Sequence, residues 1–179
     1  TIPCAVDLDK FRTHKKNGAS DSNAIVFVYC GSIGTWYSFE NLLDFFKTAS
    51  KRFSNLRGLI LSQTDKKLIE NLIIEKELRL KDFQIENVSH DAVPGYLSLA
   101  HAGTVFYKPT FARLAGSPIK FAEYLACGLP VVINSGIGDT EEIVRDNKVG
   151  VVVKDFTKDE YNKQIDNLME LMRKGEELK

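Results

Sequence analysis

Lys120 and Glu123 are the two residues whose types and spacing point most clearly to chemistry. They follow Ser117, which suits the N-cap of a helix, and Pro118, which suits the first helical position. Lys120 would then lie in the first turn, where the helix dipole repels a positive charge. A lysine at that place makes sense if an anion such as phosphate is bound by the free N–H groups of the helix N-terminus.

Glu123 lies too far along the same helix to contact such a phosphate. It follows Pro118 by five residues, which is about 7.5 Å along a helix axis. Because helical side chains lean toward the N-terminus, its carboxylate could accept hydrogen bonds from both hydroxyls of an adjoining ribose. Gly116 would let a ligand approach the backbone, while Gly128 and Pro130 end the helix. The alternative is a surface pair contributing about 0.2–0.5 kcal/mol, and the two residues taken alone fit it slightly better.

Apolar runs and helical periodicity alternate along the rest of the chain. Strands are predicted at 24–30, 56–61, 83–88, 104–107, 131–133 and 149–153, and helices near 38–50, 65–78, 92–101 and 118–127, after residue 139 and from residue 157. This alternation predicts an α/β fold with a Rossmann-like, doubly wound parallel sheet of about six strands. Ligands bind such sheets at the carboxyl ends of the strands.

Polar residues at several predicted helix starts are interpreted as caps. Asp91 is expected to cap the helix near 92–101, and Asp139 is expected to cap the helix that begins directly after residue 139. Thr157 and Glu160 have the spacing of a capping box, in which each side chain bonds the backbone N–H of the other residue. These residues are accounted for by local structure.

The composition is that of an ordinary globular protein. The 179 residues are 44% hydrophobic and 27% charged, with a formal net charge of zero. One domain with a sizeable core is predicted, and no nucleic-acid partner is expected from charge. Cys4, Cys30 and Cys127 form no Cys-x-x-Cys pair, which is typical of reduced thiols in a cytosolic protein. No apolar run approaches the roughly 20 residues that span a bilayer.

Other patterns are interpreted as structural. Asp7 and Asp9 have the spacing of a metal-binding pair but lie outside a strand-to-loop turn. His14, His90 and His101 lack the spacing of metal ligands, and His101 is assigned to a helix end. No cysteine is paired with a base, and neither Gly-x-Gly-x-x-Gly nor a Walker A sequence occurs. No metal site and no cofactor are predicted.

Residues 117–132, SPIKFAEYLACGLPVV, resemble the donor-site helix of retaining glycosyltransferases of family 4, which have the GT-B fold. Three further stretches agree in order and spacing. Residues 1–11 are similar to the segment that opens the C-terminal domain of those enzymes. Residues 31–34 (GSIG) resemble the first glycine loop, and residues 135–143 (SGIGDTEEI) the glycine-and-acid turn after the fifth strand. Each motif is short, but the four together cover nearly the whole chain.

The resemblance implies a single donor-binding domain over residues 1–179, the C-terminal half of a GT-B fold, with 1–23 as its opening segment and the acceptor-binding N-terminal domain absent. It would bind a UDP- or GDP-sugar for metal-independent, retaining transfer of a hexosyl group to a glycan or lipid-linked acceptor. Alone it would be inactive. A cytoplasmic protein of surface-polysaccharide assembly is implied, and peripheral attachment of the full-length protein to the inner face of the membrane is left open.

The resemblance also implies roles for individual residues. Glu123 would bind the ribose hydroxyls, and the backbone of Gly116 and Ser117 would contact the diphosphate. The loop after Val88, which includes His90, would border the base. The predicted donor-binding residues are Gly31, Ser32, Val88, His90, Gly116, Ser117, Lys120 and Glu123.

The chain departs from the family pattern at the sugar and at the diphosphate. The family often has a glutamate eight residues before the ribose-binding one, and here that residue is Ala115. It also often has an arginine after the first glycine and a lysine a few residues on. Here Ser32 stands in place of the arginine, and a Trp–Tyr pair at 36–37 lies near the position of the lysine. This pair could close over a sugar or pack on the next helix. We infer that Lys120 supplies part of the missing charge, with Arg113 in reserve, which makes these two the candidate catalytic residues.

Two alternatives remain open at this level. A related GT-B enzyme such as a nucleotide-sugar epimerase would bind the same ligand but need no acceptor. A non-catalytic flavodoxin-like binding module would have a similar pattern of strands and helices, with no affinity for nucleoside diphosphates.

Overall fold

Six parallel strands form one sheet at the centre of the computed structural model, which describes residues 5–13, 24–34 and 36–177, apart from the side chains of residues 113 and 175–177. The strands are β1 (Ile25–Cys30), β2 (Leu56–Leu61), β3 (Phe83–Glu86), β4 (Ala102–Val105), β5 (Val131–Asn134) and β6 (Gly150–Val153). Every residue of β4 and β5 is buried, because helices cover both sides of the sheet. Strands of this kind are typical of parallel sheets.

The strands lie in the order β3-β2-β1-β4-β5-β6. This is the Rossmann order, and it confirms the predicted fold class. The order reverses between β1 and β4, and ligands of such sheets bind in a crevice at the carboxyl ends of the strands that flank this point. A flavodoxin-like sheet has the order 2-1-3-4-5, and the flavodoxin-like alternative is therefore wrong for this chain.

Helices cover both faces of the sheet. α1 (Phe39–Ala49), α2 (Lys66–Glu75) and α6 (Lys158–Glu177) pack on one face over an aromatic-rich core. α3 (Val93–Leu97), α4 (Ile119–Ala126) and α5 (Thr140–Asn147) pack on the other face. Among the residues described, no helix is both long enough and apolar enough to cross a membrane.

Two helix starts differ from their predictions. Asp91 does not cap α3, because Ala92 is the N-cap and Asp91 forms an ion pair with Lys10 instead. α4 begins one residue later than predicted, because the backbone is extended at Pro118 (φ −71°, ψ 121°), which takes the N-cap position. Ser117 therefore precedes the cap rather than occupying it.

The connection from α3 to β4 also differs from its prediction. α3 ends at residue 97 instead of 101, and β4 covers residues 102–105 instead of 104–107. His101, predicted at a helix end, pairs with β1: its N–H donates to the carbonyl of Val26 at 2.8 Å, and its Nδ1 accepts the N–H of Val26 at 3.1 Å. The histidine thus continues the contact between β4 and β1.

The remaining predicted caps are formed in part. Asp139 is the N-cap of α5, but in the described structure its side chain makes no capping hydrogen bond. Thr157 Oγ1 accepts the N–H of Glu160 at 3.3 Å, which is one half of the capping box. The other half is replaced, because Asp155 accepts the N–H of Thr157 at 3.1 Å while Glu160 accepts the N–H of Lys154 at 2.9 Å.

Candidate functional site

Glu123 is the one acidic or basic residue of the described structure that is fully buried, with 1% of its surface exposed. Lys120 Nζ donates to its Oε2 at 2.9 Å, and His90 Nε2 lies 3.1 Å from its Oε1. One nitrogen therefore contacts each carboxylate oxygen, which leaves each oxygen a further lone pair for a ligand. The predicted pair of Lys120 and Glu123 is formed, but it is buried, and the alternative of a surface pair is wrong.

The position of Glu123 follows from the way its neighbour Tyr124 holds α4 on the sheet. The ring of Tyr124 lies over Gly103 of β4, so closely that a Cβ at Gly103 would be 2.4 Å from ring carbons. The Tyr124 hydroxyl accepts the N–H of Cys30, at the end of β1, at 2.8 Å. α4 is thereby fixed against both strands that border the crevice.

The end of α4 confirms the predicted role of Gly128. This glycine has φ 73°, and its N–H donates to the carbonyl of Leu125 at 2.9 Å. The N–H of Leu129 donates to the carbonyl of Tyr124 at 3.0 Å. The two bonds form a Schellman motif, which ends the helix at a defined residue.

Gly31 and Ser32 lie in the loop that leaves β1 at the carboxyl edge of the sheet, as predicted. A Cβ at Gly31 would be 3.2 Å from the hydroxyl oxygen of Tyr29 and 3.3 Å from Cζ of Tyr37, so the loop packs closely on both rings. The Tyr29 hydroxyl donates to the carbonyl of Ser32 at 2.8 Å. Burial, and then the neighbouring tyrosines, raise the pKa of Tyr29 well above its usual value, so it remains a donor.

The loop after β5 contacts the loop before α4. Gly138 has φ 48°, and a Cβ there would lie 1.9 Å from the carbonyl oxygen of Gly116. At the end of β5, Asn134 Oδ1 accepts the N–H of Tyr107 at 2.8 Å, and its Nδ2 donates to the carbonyl of Tyr107 at 3.1 Å. These contacts place the backbone of Gly116 at the carboxyl edge of the sheet.

The charge of Lys120 is maintained by its surroundings. Burial by itself would lower the pKa of Lys120, but the interactions with Cys30 and Glu123 raise it above its usual value. Burial raises the pKa of the Cys30 thiol, against the opposing effect of Lys120. Burial, and then the carboxylate of Glu123, raise the pKa of Cys127 to about 11. Both thiols are therefore protonated at neutral pH, which does not suit a nucleophile.

Two residues of the opening segment, Lys10 and Phe11, also reach the site, and the sequence patterns do not single them out. Lys10 Nζ lies 3.1 Å from Nδ1 of His90 and forms an ion pair with Asp91. Phe11 is 1% exposed, and its ring centroid lies 5.3 Å from that of His90. The available signal is weak: Phe11 is the last aromatic residue before a mostly polar run.

Asp7 has the structural role that the sequence predicts. Its carboxylate accepts the N–H of Asp9 at 3.0 Å and that of Lys10 at 3.3 Å, which is a local turn. Within the described ranges, no group of three or more His, Cys, Asp or Glu residues is arranged to hold a metal ion.

The two residues of the Trp–Tyr pair at 36–37 lie in different surroundings: Tyr37 packs against other aromatic rings, and Trp36 lies on the surface. The ring centroid of Tyr37 lies 5.9 Å from that of Tyr29 and 5.0 Å from that of Tyr107. Trp36 is 54% exposed, and its carbonyl accepts the N–H of Lys108 at 3.0 Å. Tyr37 thus belongs to the packing of the sheet edge, while Trp36 stays on the surface beside the end of β4.

The remaining predicted residues lie on the loops around α4 and β3. Val88 is half-buried against the core on the α3 side of the sheet. Ser117 is half-buried between the 3-10 helix Phe111–Ala115 and α4. Arg113 and Ala115 belong to that 3-10 helix; Ala115 is exposed, and the side chain of Arg113 falls outside the described part. Of the predicted site residues, Lys120 and His90 contact Glu123 directly, while these remaining residues lie on the surrounding loops.

Comparison with known proteins identifies the family. The model of the family described as Glycosyl transferases group 1 matches residues 10–179. The search of curated proteins gives no significant match. A solved structure with the same fold is the C-terminal domain of LpcC, a glycosyl transferase group 1 family protein from Francisella tularensis, with a TM-score of 0.71, 14% identity and coverage of 94% of this chain and 91% of that one.

Two larger solved structures share the fold. HepE from Anabaena, in complex with UDP and glucose, has a TM-score of 0.68 and 15% identity over 92% of this chain and 45% of its own. The pneumococcal O-GlcNAc transferase GtfA, in complex with UDP and GlcNAc, has a TM-score of 0.61 and 12% identity over 84% of this chain and 29% of its own. This chain thus spans less than half the length of either protein. The chain belongs to the glycosyl transferases group 1 family, and its fold is that of the C-terminal domain of GT-B glycosyltransferases.

Proposed function

We propose that this chain is the donor-binding domain of a retaining hexosyltransferase and binds a UDP- or GDP-sugar at the carboxyl edge of β1 and β4. The observation that carries the proposal is the buried carboxylate of Glu123, 1% exposed and paired with Lys120 and His90. Family membership and fold support it. The UDP complexes of HepE and GtfA support a nucleotide sugar as the ligand.

In the proposed complex, Glu123 accepts hydrogen bonds from the two ribose hydroxyls. The backbone N–H groups of Gly116 and Ser117, before α4, contact the diphosphate together with the loop at Gly31 and Ser32. The loop of Val88 and His90 borders the base. The contact between the loops of Gly138 and Gly116 supports this arrangement, because it holds the phosphate-binding backbone in place.

The proposed reaction breaks the bond between the anomeric carbon and the diphosphate, whose oxygen leaves with the electron pair. An acceptor hydroxyl oxygen forms the new bond on the same face of the sugar, and its proton passes to the oxygen of the departing diphosphate. Negative charge grows on the departing diphosphate, and preorganised positive groups stabilise it. We assign this role to Lys120, to the dipole of α4 and, secondarily, to Arg113. With these positive groups in place, the proposed reaction uses no divalent cation.

The acceptor, a glycan or lipid-linked saccharide, is assigned to an N-terminal domain that this chain does not include. The chain alone should therefore bind the donor but transfer no sugar. A nucleotide-sugar epimerase would differ, because it would convert the donor without any acceptor. Membership of a transferase family favours transfer.

Calorimetric titration of the chain with UDP, GDP, CDP, dTDP and ADP tests the proposal. Selective binding of one diphosphate is expected, and Glu123→Ala should weaken it about tenfold or more, because a hydrogen bond to a charged group contributes about 1.5–3 kcal/mol. Lys174→Ala, a change on the exposed face of α6, serves as the control with unaltered affinity. Equal binding by wild type and Glu123→Ala would contradict the proposal.

A further inference from the structure

Lys10, His90 and Glu123 form a continuous chain of side chains from the opening segment to the buried carboxylate. Lys10 Nζ lies 3.1 Å from Nδ1 of His90, and Nε2 of the same ring lies 3.1 Å from Oε1 of Glu123. Exposure is 27% for the Lys10 side chain, 55% for His90 and 1% for Glu123. Lys10 also forms an ion pair with Asp91, the residue that follows His90 in the chain.

The contact with Lys10 bears on which nitrogen of His90 carries the proton. An ammonium group has three donors and no acceptor, so a hydrogen bond between Lys10 and Nδ1 requires Nδ1 to be unprotonated. With Lys10 Nζ donating to Nδ1, as the 3.1 Å distance allows, the ring would be neutral and would carry its proton on Nε2, facing Glu123. In the other neutral tautomer the Nε2 lone pair would face the carboxylate, and in the imidazolium the Nδ1 proton would face the ammonium.

We propose that His90 is a positioning residue for Glu123 and that Lys10 selects the tautomer in which it acts. The proposal rests on the proposed function, because that function gives Glu123 its ribose contact. His90 and Lys120 hold one carboxylate oxygen each, which fixes the plane of the carboxylate and leaves a second lone pair on each oxygen that neither of them uses. Phe11 packs against the ring and limits its rotation. Lys10, in the opening segment, thereby contributes to nucleotide binding through His90, which lies 80 residues further along the chain.

Nitrogen-15 NMR of the His90 ring tests the tautomer in the absence of ligand. The Nε2–H tautomer is expected at neutral pH. Lys10→Met removes the donor that excludes a proton from Nδ1, so the variant should show a tautomer mixture or a doubly protonated ring. Lys47→Met removes another partly exposed lysine from an ion pair, with Glu77, and should leave the His90 signals unchanged. An Nδ1–H tautomer or an imidazolium in the wild-type chain would overturn the proposal.

Titration with UDP and GDP tests the positioning role. His90→Ala should lower the affinity about tenfold, the effect of losing one hydrogen bond to a charged group. His90→Gln places an amide donor near the position of Nε2 and should retain most of the affinity. With 2′,3′-dideoxy-UDP or 2′,3′-dideoxy-GDP, wild type and His90→Ala should bind equally, because the positioned carboxylate has no hydroxyls to bind. An equal loss with both kinds of ligand would mean that His90 acts through the base or through packing and not through Glu123, and it would overturn the proposal.

Glu123→Gln separates this inference from the proposed function. A loss of affinity in Glu123→Gln without a loss in His90→Ala would overturn the role of His90 alone. Unchanged affinity in Glu123→Gln, or no binding of UDP or GDP to the wild-type chain, would overturn the proposed function and this inference with it.

Discussion

Two helices of this domain each carry a lysine–glutamate pair one turn apart, and the two pairs have opposite surroundings. On α4, Lys120 Nζ and Glu123 Oε2 are 2.9 Å apart, with 16% and 1% of the side chains exposed. On α6, Lys174 Nζ and Glu170 Oε1 are 2.6 Å apart, and each side chain is 58% exposed. The two contacts are alike in chemistry and differ in burial.

The difference in burial changes what each pair can do. An exposed pair is hydrated and screened, and such pairs contribute little to stability. Burial of two charges costs several kcal/mol per ion, and a buried pair is weak evidence for stability alone. The buried pair lies at the crevice of β1 and β4, where the fold binds ligands. The comparison therefore supports a binding role for the pair on α4 and none for the pair on α6.

Removing the glutamate of each pair should give the largest difference. Glu123→Ala leaves Lys120 buried without its carboxylate, and we expect a loss of about 3–5 kcal/mol in the free energy of unfolding. Glu170→Ala should leave that free energy unchanged within error. Urea denaturation followed by circular dichroism measures both, and similar values for the two variants would break the comparison.

Two glycines in the loop between β5 and α5 sharpen the comparison, because only one of them contacts the loop before α4. Gly136 and Gly138 both have positive φ, at 79° and 48°, so alanine at either position should cost about 1–2 kcal/mol in backbone strain. Only at Gly138 would the new Cβ meet the carbonyl oxygen of Gly116, at 1.9 Å. Gly138→Ala should therefore lose a further 1–3 kcal/mol or so from overpacking, and lose nucleotide binding. Denaturation and calorimetry test this, and weak binding in Gly136→Ala alone would contradict it.

Removing the lysine of each pair separates phosphate binding from general electrostatics. Lys120→Ala should weaken binding of UDP or GDP about tenfold, which is about 1.4 kcal/mol, while Lys174→Ala should have no effect. Binding of uridine or guanosine, which lack phosphate, should respond less to Lys120→Ala than binding of the diphosphate does. Calorimetry measures the affinities of wild type and of both variants for the diphosphate and for the nucleoside. Unchanged diphosphate affinity in Lys120→Ala would remove Lys120 from the proposed reaction.

The pH dependence of the two pairs should give the smallest effect. Although burial opposes it, the pKa of Lys120 is raised by Cys30 and Glu123, so the contribution of Lys120 is complete below the usual lysine range and lost only above it. Lys174 lowers the pKa of Glu170, so that contribution is present above the usual glutamate range and lost as the pH falls below it. Double-mutant cycles at several pH values measure both couplings. Loss of the α4 coupling at mildly alkaline pH would contradict this account.

Much of the fold could be predicted from the sequence because the strands are continuous apolar runs. β2 covers residues 56–61 as predicted. The end of α4 at Gly128 could also be predicted, because it depends only on local backbone geometry. The errors arose where distant residues intervene. Asp91 pairs with Lys10, which lies 81 residues earlier in the chain, and therefore does not cap α3. No local pattern contains such a contact.

The sequence predicts Lys120, Glu123 and His90 as candidate site residues, but it does not predict that Glu123 is buried between the other two. The prediction rests on the spacing of Lys120 and Glu123 and on the family resemblance. The spacing of Lys120 and Glu123 by itself fits a surface pair slightly better. Burial depends on the packing of Tyr124 over Gly103, which only the assembled sheet provides. Lys10 could not be identified, because its partners lie on a loop beyond β3.

A crystal structure of the chain with its tightest-binding nucleoside diphosphate tests the central claim most directly. The account predicts both ribose hydroxyls within hydrogen-bond distance of Glu123, about 2.6–3.0 Å between oxygens, and the diphosphate at the start of α4 beside Lys120. A nucleotide whose ribose lies away from Glu123, with the carboxylate still bound only by Lys120 and His90, would contradict it.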